Sequence, residues 1–368
     1  MKSPNWNRIV IKVGSALIAP ERNGCSSHYL LSVASFIVRC RRQGIQVVLV
    51  SSGSVAAGSH LFRKSKNTSG HDKKAMAAAG QTEMMATWDR LFDFSSAQIL
   101  LTDEDLRDRE RFVNIRNTID SLLENDILPI VNENDTITTD RVKVGDNDNL
   151  SAMVATSVQA DTLIICSDID GLFDSNPQLN ANASLISEVR DINEQVYAMA
   201  GGATSAVGTG GMRTKIEAAE KAVSHGVTTY IVNGFDQRSF DMLIQGKNPG
   251  TLFHPHQTPL QESKHWVRHT TKALGEIVVD DEFSLSPKQS VDSLSSSDLI
   301  DVVGEFSVGD VVLLRTDSGE KIAKAKTNYS SCLLDFVAQQ GDASLNQKID
   351  GTPKPILSNK FSAIMEAQ

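Results

Sequence analysis

The sequence lacks the features of a membrane protein, a secreted protein or a protein that binds nucleic acid by charge alone. No run approaches the ~20 apolar residues of a membrane span, and the N-terminal segment has no apolar stretch long enough for a signal peptide. The 368 residues carry a formal net charge of -9, so a basic surface for nucleic acid is not expected. These absences predict a cytoplasmic protein without a membrane segment.

Cysteine is scarce and scattered. The four cysteines form no C-x-x-C pair, which argues against a zinc site or a redox motif. Cys40 and Cys166 lie in apolar stretches and are interpreted as small core residues of a protein in a reducing compartment. No metal-ligating residue is predicted.

The length of the chain predicts two domains, and residues 1–253 alternate between strand and helix patterns. The predicted strands are Ile9–Val13, Gln46–Val50, Ala97–Leu101, Ile127–Val131, Thr162–Cys166 and Val227–Val232. The predicted helices are Leu30–Gln43, Lys73–Leu91, Asp105–Glu124, Asn149–Gln159 and Thr214–His225. The alternation predicts a doubly wound α/β domain with a mostly parallel sheet, in which ligands bind at the carboxyl ends of the strands.

The pattern changes after Phe253. Residues 254–273 are polar and contain prolines, which is typical of a linker, and residues 274–368 are predicted to form a smaller β-rich domain. Its predicted strands are Glu276–Val279, Leu299–Val303, Val311–Arg315 and Lys321–Lys326, with a Ser-rich loop at Ser284–Ser297. Pro353 and Pro355 oppose a continuous helix at the C-terminal end. From Gly275 onward the chain has 8 Lys and Arg against 15 Asp and Glu, so most of the net negative charge belongs to this domain.

Small or polar residues follow the first two strands. Lys12 lies inside an apolar strand and must satisfy its charge, and Gly14 would let a ligand approach the backbone closely. The structural alternative for Lys12 is an ammonium group that snorkels from the strand end to water. Ser51–Gly58 is a run of small residues that fits either an anion site built from backbone N–H groups or a tight turn chosen for packing.

Two polar segments come next along the chain. Asn132–Asp135 and Gly145–Asn149 form an acidic, amide-rich pair of loops that could hold an amino group or a metal, or orient lysines. Helix capping by Asp148 or Asn149 is the alternative, and it leaves the other polar residues unexplained.

The last two segments are an acidic turn and a glycine-rich loop. Ser167–Phe173 contains Asp168 and is interpreted, taken alone, as an ordinary Asp/Gly turn. Gly208–Lys215 brings three glycines, two hydroxyls and a lysine to the start of a helix, which suits a phosphate loop better than a flexible linker. Together the loops place two lysines, anion sites and an acidic cluster at one edge of one sheet. Phosphoryl transfer needs these parts.

These segments resemble the amino-acid kinase family, and in particular its members that phosphorylate glutamate. The resemblance rests on Ile11–Ser15, Ser52–Gly58, Ala79–Gln81, Asp108–Phe112, Val131–Asp135, Lys143–Ser151 and Gly208–Lys215, in order from about Asn7 to His254. It implies the amino-acid kinase fold and transfer of the γ-phosphate of ATP to the side-chain carboxylate of L-glutamate. The expected product is γ-glutamyl phosphate, in the first step of proline biosynthesis, and Mg²⁺ is the expected metal.

The resemblance also implies roles for individual residues. Lys12 would neutralise the transferring phosphoryl group, Lys215 the nucleotide phosphates, and Asp148 would orient both lysines. Glutamate would be bound by Ser52, Gly53, Asp135 and Asn147, with Asp135 meeting its α-amino group. ATP would be bordered by Lys12, Gly14, Ser167, Asp168, Thr209, Gly210, Gly211, Met212, Arg213, Thr214 and Lys215.

Two regions depart from the family pattern. Phe173 and Asn176 stand where a tyrosine and an aspartate are usual, at the rim of the implied nucleotide pocket. The C-terminal part is similar to a PUA domain through Gly275–Asp280 and Gly304–Val312, but it lacks that domain's usual Leu-Pro-Gly-Ile segment, and its negative charge argues against RNA binding. Inhibition by proline and a homo-oligomer, dimer or tetramer, are further expectations. The alternatives are another acid kinase of the family, acting on carbamate, acetylglutamate or aspartate, and an RNA-binding protein on a kinase-like scaffold.

Overall fold

The computed structural model of the protein describes residues 4–62, 69–138, 147–180, 182–200, 211–256, 273–281, 283, 291, 294–340 and 355–364. The chain divides into two compact units, Met1–Pro259 and Leu260–Gln368. Residues 257–272 of the predicted linker and most of the loop Ser284–Ser297 lie outside the described residues. The domain bounds 1–253, 254–273 and 274–368 therefore stay a prediction.

The first unit alternates strands and helices along most of its length. Its strands are β1 (Arg8–Val13), β2 (Gln46–Ser51), β3 (Ser96–Leu101), β4 (Leu128–Glu133), β5 (Thr162–Ser167), β6 (Glu188–Val189), β7 (Thr228–Asn233) and β8 (Thr251–Phe253). Its helices are α1 (Ser15–Ile18), α2 (Ser27–Arg42), α3 (Ser54–Gly58), α4 (Gly70–Asp89), α5 (Asp103–Arg107), α6 (Arg109–Glu124), α7 (Asn147–Ser157), α8 (Glu194–Met199), α9 (Met212–Ser224) and α10 (Gln237–Ile244).

One eight-stranded sheet organises this unit, in the order β3-β4-β2-β1-β5-β7-β8-β6. The strands pair in parallel except for β7 with β8, so the predicted doubly wound, mostly parallel sheet is confirmed. Strand β1 lies in the middle and pairs with β2 on one side and β5 on the other. Strands β2 to β4 extend the sheet on one side of β1, and strands β5 to β8 extend it on the other side. This makes the carboxyl end of β1 a topological switch point, where such sheets bind ligands.

The predicted strands and helices of this unit are found with small shifts at their ends, with two informative differences. Strand β4 continues through Asn132 and Glu133, which are 1% and 5% exposed, so the first polar residues of that segment belong to the sheet. The predicted helix Asp105–Glu124 is divided at Asp108. The side chain of Asp108 accepts from the backbone N–H of Arg111 at 2.8 Å and thereby caps a new helix.

The second unit contains a five-stranded sheet in the order β10-β9-β11-β12-β13. Its elements are β9 (Gly275–Val279), β10 (Leu299–Val303), β11 (Val311–Thr316), β12 (Lys321–Thr327), α11 (Ser331–Gln340) and β13 (Leu357–Ile364). The four predicted strands are present, whereas α11 and β13 were not predicted. Leu334 of α11 and Leu357 of β13 are fully buried in the core of this unit. Within the described part of the chain, no helix is long and apolar enough to cross a bilayer.

Candidate active site

A buried triad of charges lies at the carboxyl end of β1. Asp148, in the first turn of α7, is 1% exposed, and the flanking Lys12 and Lys215 are 6% and 7% exposed. The ammonium of Lys12 lies 2.6 Å from Asp148 Oδ1, and that of Lys215 lies 3.0 Å from Asp148 Oδ2. The two lysines come from opposite parts of the unit, β1 and α9, and they meet only because α7 brings one carboxylate between them. Lys12 therefore does not snorkel to water.

The charges of the triad keep Asp148 ionised. Burial raises the pKa of this carboxyl, but the ammonium groups of Lys12 and Lys215 outweigh burial and lower it to about 2. The hydroxyl of Thr214 lies 3.1 Å from Asp148 Oδ2 and 2.9 Å from the backbone oxygen of Gly211, and its single hydrogen is shared between these two acceptors. Two ammonium groups held by one carboxylate leave a net positive charge, which suits a site for phosphate oxygens.

A network of amides and hydroxyls adjoins the triad. Asn147, next to Asp148, donates from Nδ2 to Ser52 Oγ and to Asn132 Oδ1, both at 2.8 Å. Gly53, which follows Ser52, has a φ of +102°, and a Cβ there would lie 2.8 Å from Ile18 Cβ. This turn between β2 and α3 therefore requires glycine. Ser52, Gly53 and Asn147 are close together, as the predicted acid-binding group requires.

Asp135 joins this group through α3. Ser54 donates from its hydroxyl to Asp135 Oδ2 at 3.1 Å. Helix α3 is fixed against α4 by backbone contact: a Cβ on Gly58 would lie 2.0 Å from Met76 O, and one on Gly80 would lie 1.9 Å from Ser54 O. Only glycine fits at these two positions. The close approach of the two helices sets where Ser54 can meet Asp135.

A cavity of about 140 Å³ lies on the other side of the triad. Its lining includes Ser167, Asp168, Gly211, Met212 and Lys215 from the predicted nucleotide group, and Phe173, Asn176 and Pro177 from the segment that departs from the family pattern. Thr214 turns to Asp148, and Arg213 turns away to Glu217 at 3.2 Å. Thr209 and Gly210 lie outside the described residues. At Gly14 a Cβ would make ordinary contacts of 3.6 Å and longer, so the neighbouring protein atoms do not require glycine there.

Comparison with known proteins identifies the family. The model of the amino acid kinase family matches residues 7–233. The chain belongs to the amino acid kinase family. It is similar to glutamate 5-kinase 1 of Pseudoalteromonas translucida (strain TAC 125), with 56% identity covering 100% of both chains. It is also 53% identical to a glutamate 5-kinase of Idiomarina loihiensis over 96% of each chain, and 42% identical to one of Salinibacter ruber over 99% of this chain and 98% of that one.

Membership of the amino acid kinase family confirms the predicted fold of the first unit. The cavity beside Lys215 can be compared with a second cavity in the same unit. A larger one, of about 430 Å³, is lined by Arg41, Gln46, Phe94 and Asp126 among others and lies at the amino ends of the strands. It contains none of the predicted site residues. Its position opposite the charge triad separates it from the chemistry, so the smaller cavity beside Lys215 is the better candidate for the nucleotide.

Three contributors to the site were assigned no individual role from the sequence. Ser54 contacts Asp135, Asn132 accepts from Asn147, and Gln81 accepts from Asn132 Nδ2 at 2.9 Å. All three stand in segments that carry the family resemblance, so a signal for them was present. It did not assign a role, because each acts through a partner that is 15 to 81 residues away in the chain.

Proposed function

We propose that this amino acid kinase transfers the γ-phosphate of ATP to the side-chain carboxylate of L-glutamate, giving γ-glutamyl phosphate for proline biosynthesis. The observation that carries the proposal is the buried Lys12–Asp148–Lys215 triad, which separates an amide-rich group from a cavity. The glutamate 5-kinases that the chain resembles align with it over nearly its whole length, including the β-rich unit.

The triad would serve the transfer itself. A carboxylate oxygen that attacks the γ-phosphorus must approach a group of the same charge, so the site needs positive charge beside the phosphoryl group. Lys12 would neutralise the transferring phosphoryl group, and Lys215 the phosphates of the departing ADP. Asp148 would hold both ammonium groups in place before the substrates arrive, so that no reorganisation is needed during the reaction.

The amide-rich group would hold the acid. Asp135 offers a carboxylate to the α-ammonium group of glutamate, and the amide oxygen of Asn147 offers it a second acceptor. The Ser52 hydroxyl and the backbone at Gly53 offer donors to the substrate carboxylates. Their position next to Asp148 would direct the side-chain carboxylate of the substrate towards the lysines.

The cavity would hold the nucleotide. Lys12, Gly14, Ser167, Asp168 and the segment Thr209–Lys215 would border ATP, with Gly211 and Met212 at its phosphates. Mg²⁺ would enter as part of MgATP, bound mainly by phosphate oxygens, as is usual for this ion. Asp148 is already engaged by Lys12 and Lys215. We name no protein ligand for the metal.

The test is an assay that traps the acyl phosphate as a hydroxamate in the presence of ATP, Mg²⁺ and glutamate. Aspartate, acetylglutamate and carbamate are run beside glutamate, because they are the substrates of the alternative acid kinases. We expect a signal that requires both ATP and glutamate. A stronger signal with another acid would replace the proposed substrate, and no signal with any acid would refute the proposed activity.

Three further properties accompany the proposal. We expect proline to inhibit the reaction, which the same assay measures, and we expect a homo-oligomer, dimer or tetramer, which light scattering measures. We expect bulk tRNA not to bind in a filter assay at physiological salt, because the chain from Gly275 onward is acidic and counterion release would contribute little.

A further inference from the structure

A chain of side-chain amides runs from the edge of the sheet to the candidate acid-binding group. Gln81 Nε2 donates to Gln98 Oε1 at 3.0 Å, and Gln81 Oε1 accepts from Asn132 Nδ2 at 2.9 Å. Asn132 Oδ1 in turn accepts from Asn147 Nδ2 at 2.8 Å, and the same Nδ2 donates to Ser52 Oγ. Gln98 lies on the edge strand β3 and is exposed, whereas Asn132 is 1% exposed.

One backbone group fixes the direction of this chain. The N–H of Glu133 donates to Asn132 Oδ1 at 2.9 Å, and a backbone N–H can only donate. Asn132 must therefore present its oxygen to Glu133 and Asn147 and its Nδ2 to Gln81. Because Gln81 receives a donor on Oε1, its own Nε2 is directed to Gln98. The orientation of every amide in the chain follows from its neighbour.

The orientation of these amides determines which groups Asn147 and Ser52 can offer to a ligand beside the charge triad. Both hydrogens of Asn147 Nδ2 are used, one on Asn132 and one on Ser52, so Asn147 Oδ1 is its remaining acceptor for a ligand. The Ser52 hydroxyl accepts from Asn147 and keeps its own hydrogen to donate. An amino acid substrate needs this pair, because its ammonium group needs an acceptor and its carboxylate needs a donor.

We propose that Gln81 is a positioning residue, which keeps Asn132 oriented so that Asn147 and Ser52 present an acceptor and a donor to the acid substrate. The proposal rests on the proposed function, in which that acid is glutamate. Gln81 is held in place by its neighbour: Gly80 lets the backbone of α4 touch α3 at Ser54, and this contact brings Gln81 beside β4.

Loss of the acceptor at position 81 would act at a distance. The buried Nδ2 of Asn132 would have no acceptor at Gln81, and turning the amide to find another would oppose its oxygen contacts with Glu133 and Asn147. Asn147 would lose its fixed orientation, and the acid-binding group would be less well prepared for its substrate. The cavity beside Lys215 does not contain Gln81, so nucleotide binding should be spared.

The test compares two substitutions of similar size. Gln81→Met keeps the length of the side chain and removes the strong acceptor, whereas Gln81→Glu keeps an acceptor for Asn132 Nδ2. We expect Gln81→Met to raise the KM for glutamate about tenfold, the equivalent of one lost hydrogen bond, with the KM for ATP within about twofold. The KM for glutamate of Gln81→Glu should stay within about threefold of the wild-type value. Gln98→Met, at the exposed end, should change it less than Gln81→Met does.

The outcomes separate positioning from packing and from the proposed function. An unchanged KM for glutamate in Gln81→Met overturns the proposal. A similar rise in the KM for glutamate and the KM for ATP, found in both Gln81→Met and Gln81→Glu, also overturns it. If the wild-type protein turns over another acid, the same series is measured on that acid. If it turns over none, a crystal structure of Gln81→Met decides: we expect the contact between Asn147 and Ser52 to be lost, and its full retention refutes the positioning role.

Discussion

Replacing Asp148 by asparagine removes the carboxylate that lies between two buried lysines. The pKa of Asp148 is lowered from 3.8 to about 2 in the folded protein. At about 1.4 kcal/mol per pKa unit, this shift corresponds to about 2 kcal/mol of stability at neutral pH. The variant also leaves two ammonium groups buried without their partner, and we expect a total loss of about 3 to 5 kcal/mol in the free energy of unfolding.

The sign of the pH dependence follows from the lowered pKa. A carboxyl group whose pKa is lower in the folded state stabilises the protein above its unfolded pKa, and this contribution disappears as the pH falls through the folded pKa. For Asp148 the window runs from just above 3.8 down to about 2. The asparagine side chain of the variant cannot ionise, so the difference in stability between wild type and Asp148→Asn should narrow by about 2 kcal/mol across this window.

Urea unfolding at a series of pH values measures the difference. Tryptophan fluorescence in a Trp266→Phe background leaves Trp6 and Trp88 as reporters of the first unit. Asp120→Asn is the matched control, because Asp120 forms a partly exposed ion pair with Arg8 and should contribute less than about 1 kcal/mol. A difference between wild type and Asp148→Asn that stays constant from pH 5 to the acid limit would refute the reasoning.

The remaining predictions concern turnover. Lys12→Ala and Lys215→Ala should each lower kcat about 100-fold or more, as loss of one charge-stabilising group does; Lys247→Ala is the control, and near wild-type turnover would remove that lysine from the proposed mechanism. Asp135→Ala should raise the KM for glutamate and leave the Kd for ATP nearly unchanged, as calorimetry with the nucleotide can show; a collapse of ATP affinity alone would assign Asp135 to the nucleotide. A chain that ends at Lys272 should remain folded and active, measured by turnover, Tm and mass. A folded but inactive product would show that the β-rich unit contributes to the active site.

Most strands of the main sheet were predictable because the signal for each strand lies within its own residues. Both faces of a central strand in such a sheet are buried, so the strand is a continuous apolar run without alternation. Runs such as Thr162–Cys166 are identified by their short length and their β-branched residues. The predicted bounds of two elements were wrong because a local interaction outweighed the sequence pattern. Asp108 caps a helix in the middle of a continuous helical pattern, and Asn132 and Glu133 extend β4 although they are polar.

The last strand of the β-rich unit was not predictable from the sequence. Pro353 and Pro355 correctly opposed a helix there, but they gave no hint that Leu357–Ile364 would pair with β12 at the edge of the sheet. The pairing partner of an edge strand depends on contacts that are distant in sequence, and the burial of Leu357 in the core of this unit identifies the strand only once those contacts exist.

The sequence by itself determined which residue types stand after each strand, and with them the two lysines, the glycines of the turns and the acidic, amide-rich segments. It could not determine which of these side chains come into contact in the folded protein. Asp148 had capping as an alternative role, and only the packing of α7 between β1 and α9 places its carboxylate 2.6 Å from Lys12 and 3.0 Å from Lys215. The direction of the amide chain through Gln81 was likewise decided by tertiary structure, because the orientation of a side-chain amide is set by partners that the fold supplies and not by its neighbours in sequence.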